Sequence, residues 1–191
     1  VALPLLTTAF GLTAATAGLL GAASLIGMFF GGLIFGAVTD KLGRQKVYIA
    51  DLACFVVLSA LQFFANEPWQ LIVLRTLMGV AVGADLAIAG TIASEFAPQK
   101  SRGPLLVVLV TMFSVGAAVA YTVGYFMLQL GPDAWRWMLA SSAIPAVLIL
   151  MMRLGTPESP RWLLSRGRTD EAEAVLKQML GPNASLADIA E

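Results

Sequence analysis

The chain has 191 residues, of which 58% are hydrophobic and 13% charged, and its 12 Lys and Arg balance 12 Asp and Glu with no histidine present. Ordinary soluble domains carry about 25% charged residues, so this composition excludes a typical water-soluble fold. Zero net charge argues against a nucleic-acid surface, and the lack of histidine removes His-based metal sites and His general bases. One cysteine, Cys54, allows no intrachain disulfide.

Val1 to Leu6 is apolar and reads as the tail of a truncated segment, so we expect an upstream part to be missing. Thr7 to Thr16 reads as a mildly polar connection. Residues 17–39 then run without a charge, long enough at 1.5 Å per residue to cross ~30 Å of hydrocarbon. Gly27/Gly31 and Gly32/Gly36 lie four apart, a spacing that suits close helix packing in a membrane. The turn DKLGRQK (Asp40 to Lys46) leads into a second span at 47–65, with Asp51 one turn inside its first end. Asp51 is placed to reach headgroups or Lys46 in a structural role, and Gln62 reads as a packing or interfacial residue. Asn66-Glu67-Pro68 makes a turn without basic residues, and Trp69 sits where an interfacial aromatic anchors.

The third span, 69–93, carries Arg75 and Asp85. A charge at that depth costs at least ~2.5–3.5 kcal/mol, so each should face a bundle interior or a watery cavity and have a partner. They lie ten residues apart, ~15 Å along an ideal helix and ~80° off in azimuth, and cannot pair with each other. Their partners must come from other segments. Gly79, Gly83 and Ala87 extend a small-residue stripe from Arg75 that admits a neighbouring backbone.

After a second basic turn, PQKSRG, a fourth span covers 104–130. Gly131-Pro132-Asp133 makes a turn, and a fifth span follows at 135–152, with Pro145 expected to kink it. From Arg153 the chain turns basic and proline-broken. A short amphipathic helix should start near Thr169, with Asp170 and Glu171 in its first turn and Val175, Leu176, Met179 and Leu180 on one face. Ser185 and Asp188 have capping-box spacing for another. The expected domains are therefore a membrane bundle at 1–153 and a linker with short helices at 154–191.

Arg75 lies inside a span and Arg136 in a turn on one side. The other ten basic residues fall in the alternate loops and the tail: Lys41, Arg44, Lys46, Lys100, Arg102, Arg153, Arg161, Arg166, Arg168 and Lys177. The positive-inside rule places those regions in the cytoplasm, with the chain multi-pass in the cell membrane.

GAVTDKLGRQK (Gly36 to Lys46) resembles the cytoplasmic loop signature of the major facilitator superfamily, with Gln45 where a basic residue is common. RTLMGVAVG resembles that family's fourth-helix motif. SEFAPQKSRG and PESPRWLLSRGR resemble two hallmarks of its sugar-porter-like branch. The resemblance implies an all-α membrane protein whose spans are helices two to six of a twelve-helix transporter, with the first helix truncated and short cytoplasmic amphipathic helices following. It also implies partners: membrane lipid, a small-molecule substrate, protons, and the C-terminal half of the same transporter. No cofactor, metal or enzymatic constellation is implied.

By the same resemblance, Asp40, Arg44, Glu95, Arg102, Glu158 and Arg161 match a charged set that latches the cytoplasmic gate. Ion pairs at a bundle's end are bistable, which suits a gate. The plainer alternatives are solvated loop charges for Asp40 and Arg44, and surface pairing worth little for Glu95 and Arg102. Arg75 matches an arginine whose usual acidic partner is on helix one. Asp85 lies about ten residues from its helix end, too deep to snorkel, and resembles an acidic residue of proton-coupled phosphate and metabolite porters. The alternative for it is a static ion pair or packing residue. With Arg75, and with Ser114 and Tyr121 on the fifth helix, it forms the expected substrate or proton site.

Two departures blur the substrate: Leu86 stands where the phosphate-porter pattern has tyrosine, and Ala117 where hexose and phosphate porters commonly have glutamine. The function implied is alternating-access transport of a small polar or anionic metabolite (sugar or organic acid), by proton symport. The alternatives are facilitated diffusion or a solute sensor of the same fold.

Overall fold

The computed structural model describes the backbone of residues 2–96 and 102–181. It describes their side chains apart from those of residues 92–96, 102, 105, 179 and 180. Nine α-helices occur among these residues: α1 (Ala2–Phe10), α2 (Ala14–Leu42), α3 (Arg44–Phe63), α4 (Pro68–Phe96), α5 (Arg102–Met127), α6 (Ala134–Ala140), α7 (Ala143–Arg153), α8 (Pro160–Ser165) and α9 (Thr169–Leu180). Five stretches are long and apolar enough to cross a membrane: Ala14–Leu42, Arg44–Phe63, Pro68–Thr91, Leu106–Leu130 and Ala134–Arg153.

The number and order of the spans agree with the sequence reading, but the first connection does not. Thr7 to Phe10 belong to α1, and α2 already starts at Ala14. Thr13 causes this early start by acting as N-cap: its hydroxyl accepts from Thr16 N at 3.3 Å. That satisfies one of the orphan donors of a first helical turn. The fifth span is broken at Ser141 and Ser142, between α6 and α7. Pro145 explains the break. It lacks an N–H for the carbonyl four residues back, which is that of Ser141.

Helices α2 and α4 form the centre. The glycines on each point at the other's backbone: a Cβ on Gly27 would land on the Thr76 carbonyl, one on Gly31 on that of Val80, one on Gly79 on that of Ser24 and one on Gly83 on that of Met28. The stripes read from sequence thus interlock, and the two backbones touch with no side chain between them.

At the end of the bundle bearing the Asn66 turn, α1 closes a cluster of Leu6, Leu20, Ala65, Leu71 and Trp135. Arg136 fastens this end, with Nη1 donating to the carbonyls of Phe63 at 2.6 Å and Ala65 at 2.8 Å. Midway along, the Ser59 and Ser142 hydroxyls meet at 3.0 Å between α3 and the α6–α7 break. Gln62 is 1% exposed and donates to Met78 Sδ, so it is a packing residue.

Candidate functional site

Each charge of α4 finds a different setting. Asp85 is turned toward α3 and the end of α7, within electrostatic reach of the Tyr48 hydroxyl and of the Arg153 guanidinium, its positive counter-charge. Arg153 is held in place by stacking over the Tyr48 ring, 4.9 Å from its centroid. One carboxylate oxygen of Asp85, Oδ1, is buried with no hydrogen-bond partner among the described residues. Arg75 stands apart from this group. Its Nε is buried without a hydrogen bond, and no carboxylate pairs with it among the described residues. The two charges do not pair, as the helical offset requires.

Asp51 departs from expectation. It is not turned toward headgroups but is 8% exposed, within the electrostatic reach of Asp85. Tyr48 and Asp51 are three residues apart and so share a face of α3. Asp51 also lines a crevice of about 520 Å³ between α2, α3 and α4, whose other walls include Phe35, Val38, Lys46, Cys54 and Val80.

Four of the charges assigned to a gate, Asp40, Arg44, Glu158 and Arg161, lie at the basic end around the α2–α3 corner. Asp40 and Arg44 pair at 3.6 Å, with Asp40 71% exposed, a geometry worth little by itself. The firmer link is Glu158. Its Oε1 accepts from the backbone N–H of Arg44 at 3.0 Å and of Gln45 at 2.9 Å, capping the N-terminus of α3. A carboxylate there also meets the positive end of the helix dipole. Gly43 makes this fit possible: its φ is 100°, and a Cβ would collide with Glu158 Oε2. From α8, Trp162 Nε1 donates to the Asp40 carbonyl at 3.0 Å. Arg166 Nη2 donates to the carbonyl of Lys41 at 2.6 Å, so the tail grips the end of α2 as well. Arg161 lies on α8 beside these residues. The side chains of Glu95 and Arg102 lie outside the described residues, as does the Ser185–Asp188 capping pair.

Ser114 and Tyr121 are not brought to Asp85. Both lie on exposed positions of α5, Tyr121 at 66%. The structure therefore divides the expected site into a buried group at α3, α4 and α7 and an uncovered face on α5. Tyr48 and Arg153 escaped the sequence reading. A tyrosine three residues before a membrane aspartate was the available signal. Gln45 also gained a role, since it is buried and its amide donates to the Arg153 carbonyl at 3.0 Å and to the Thr156 hydroxyl.

Residues 7–191 match the family described as "Sugar (and other) transporter". The chain belongs to that family. Among its relatives, the inner membrane metabolite transport protein YgcS of Escherichia coli (strain K12) is 43% identical over 96% of this chain and 41% of its own length. The D-xylose transporter of Levilactobacillus brevis is 36% identical over 88% of this chain and 38% of its own. The chain therefore spans about two fifths of the length of these curated relatives. Among solved structures, the partially occluded inward-open xylose transporter XylE from E. coli superposes with a TM-score of 0.88 at 26% identity, over 98% of this chain and 52% of that one. A structure titled as the major facilitator superfamily proton:xylose symporter XylE bound to 6-bromo-6-deoxy-D-glucose gives 0.87 at 27%, over 98% and 46%. The all-α bundle is thus that of a major facilitator superfamily sugar-porter-like chain, and these relatives are transport proteins rather than enzymes.

Proposed function

We propose that this chain is the N-terminal bundle of a proton-coupled secondary transporter for a small polar or anionic metabolite, a sugar or an organic acid, working by alternating access in the cell membrane. The observation that carries the reading is the buried Asp85 carboxyl, with one oxygen free of partners among the described residues and Tyr48 and Arg153 beside it. A site near the midplane between two bundles is how this class of transporter reaches both sides in turn. Two relatives support the solute class, one named a D-xylose transporter and one titled a proton:xylose symporter.

In this reading residues 1–153 form the membrane bundle and 154–191 the linker. The basic end is cytoplasmic by the positive-inside rule. Arg75 and Asp85 serve the substrate and proton path. Ser114 and Tyr121 meet the solute once the C-terminal half of the same transporter covers α5. Asp40, Arg44, Glu95, Arg102, Glu158 and Arg161 brace the cytoplasmic gate without touching solute.

The test uses the full-length transporter in proteoliposomes with labelled D-xylose as probe and an imposed pH gradient. Accumulation that a protonophore abolishes is the expected result. Uptake that only equilibrates and ignores the protonophore would make it a uniporter. Saturable binding without counterflow would make it a solute sensor.

A further inference from the structure

Arg153, the last residue of α7, is held at two points by one face of α3. Its guanidinium lies over the Tyr48 ring, 4.9 Å from the centroid, and its backbone carbonyl accepts from Gln45 Nε2 at 3.0 Å. Gln45 and Tyr48 are three residues apart, the spacing that sets two side chains beside each other on a helix. A carbonyl at a helix end has no partner in its own helix. Four residues on stands Pro157, which lacks an N–H. The Arg153 carbonyl therefore takes Thr156 N at 3.2 Å, the Thr156 hydroxyl at 2.8 Å and the Gln45 amide. The Gln45 amide also donates to the Thr156 hydroxyl.

Gln45 thus gives α7 what Glu158 gives α3. Glu158 Oε1 accepts from the N–H groups of Arg44 and Gln45 at the first turn of α3. The two helices exchange caps, and Gln45 takes part in both exchanges, once through its backbone and once through its side chain. It is 8% exposed, so water does not stand ready to replace a broken bond, and a buried amide left without acceptors is costly. When Glu158 leaves α3, the connection that carries Thr156 moves with it, and the Gln45 amide loses its acceptors in the same step. Contacts that are lost together switch between two arrangements rather than drift. We propose that Gln45 is a positioning residue of the transport cycle, tying the seat of Arg153 on the Tyr48 ring to the Glu158 cap so that the two form and break together. This assignment rests on the gate reading and adds an uncharged residue to its charged set.

The experiment is fluorine NMR of the purified full-length transporter carrying fluorotyrosine, with the Tyr48 resonance assigned by its loss in Tyr48→Phe. Gln45→Met keeps the length of the side chain and removes its donors. It should move the Tyr48 resonance, because Arg153 leaves the ring, and Glu158→Ala should move it in the same direction. An unmoved resonance in Gln45→Met would overturn the assignment, and so would a shift there that Glu158→Ala does not share. If Gln45→Met does not fold, Thr156→Val takes its place, removing the hydroxyl at constant shape. The same shift is expected, and an unmoved resonance again overturns the proposal. Exchange of labelled D-xylose in proteoliposomes is measured on the same variants. Gln45→Met should slow it roughly tenfold, equivalent to ~1.4 kcal/mol, with xylose affinity changed only within a few-fold. If the resonance moves in both variants while exchange keeps its rate, the gate reading falls and Gln45 remains the residue that seats Arg153.

Discussion

Helix α4 has two faces that solve opposite problems. Toward α2 it presents Gly79 and Gly83 to the carbonyls of Ser24 and Met28, Gly27 and Gly31 meet those of Thr76 and Val80, and the two backbones meet with no side chain between them. Toward α3 and α7 it presents Asp85, whose Oδ1 has no hydrogen-bond partner among the described residues, to Tyr48 and Arg153. The first face is rigid because any added atom must displace main chain. The second holds charge in a place where charge is costly, which proteins retain at functional sites. One helix thereby serves as both scaffold and working part, and the division runs along its length as two stripes.

The largest expected effect comes from breaking the rigid face. Gly79→Leu puts a side chain into the Ser24 carbonyl, and overpacking usually costs ~1–3 kcal/mol even where side chains can yield. Here backbone must move, so the full-length variant should fail to accumulate as monodisperse protein on size-exclusion chromatography. Gly90→Ala on the same helix, where nothing among the described residues lies within 4 Å, should behave as wild type. Equal yields of the two variants would mean the seam is not the scaffold.

Changing the other face should leave the fold and alter the work. Asp85→Asn keeps volume and mimics the protonated carboxyl. It should abolish proton-driven accumulation while preserving exchange of labelled for unlabelled solute, because a ligand shifts a state only by its differential affinity. Concentrative uptake at the wild-type level would return Asp85 to the packing residues and erase the contrast.

A smaller effect is expected at the tail. Glu158→Ala removes the cap of α3 and should cost ~0.5–2 kcal/mol, the usual worth of an N-cap. It should lower transport rate by disturbing the gate, with solute affinity changed only within a few-fold. A loss of binding at an unchanged conformational balance would move Glu158 out of the gate.

The smallest expected effect is a labelling pattern with no change in activity. In a Cys54→Ser background, cysteines at Lys41 and Gln99 should resist a membrane-impermeant thiol reagent in intact cells while one at Asn66 reacts. Gln45 would be a poor reporter because it is buried whichever way the chain is oriented. Labelling at Lys41 equal to that at Asn66 would invert the proposed topology.

The spans and the glycine seam were legible because each depends on residues near one another in sequence: runs without charge, and small residues four apart. The Pro145 break was legible for the same reason. What escaped were contacts between distant segments. Asp85 announced that it needed a partner, but nothing in its own helix pointed to Tyr48 or Arg153. Asp51 was misjudged because its distance from the helix end suggested an escape to headgroups, while rotation about α3 turned it inward. Glu158 was recognised through a motif as a gate residue, but the sequence did not show that its target is backbone N–H rather than a side chain. The boundary of α2 moved because a threonine cap outweighed the polar look of the segment before it.

The cap on α3 also has a place in time. Arg44 and Glu158, which form it, are 114 residues apart. At ~5–20 residues per second, a ribosome needs roughly 6–23 s to travel from one to the other. Throughout that interval the first turn of α3 has its free N–H groups at the basic end with no carboxylate to receive them, although the helix itself has already been made. The corner between α2 and α3 is therefore closed by a residue from beyond the fifth of these spans, and its closure marks the moment at which all five have been synthesised.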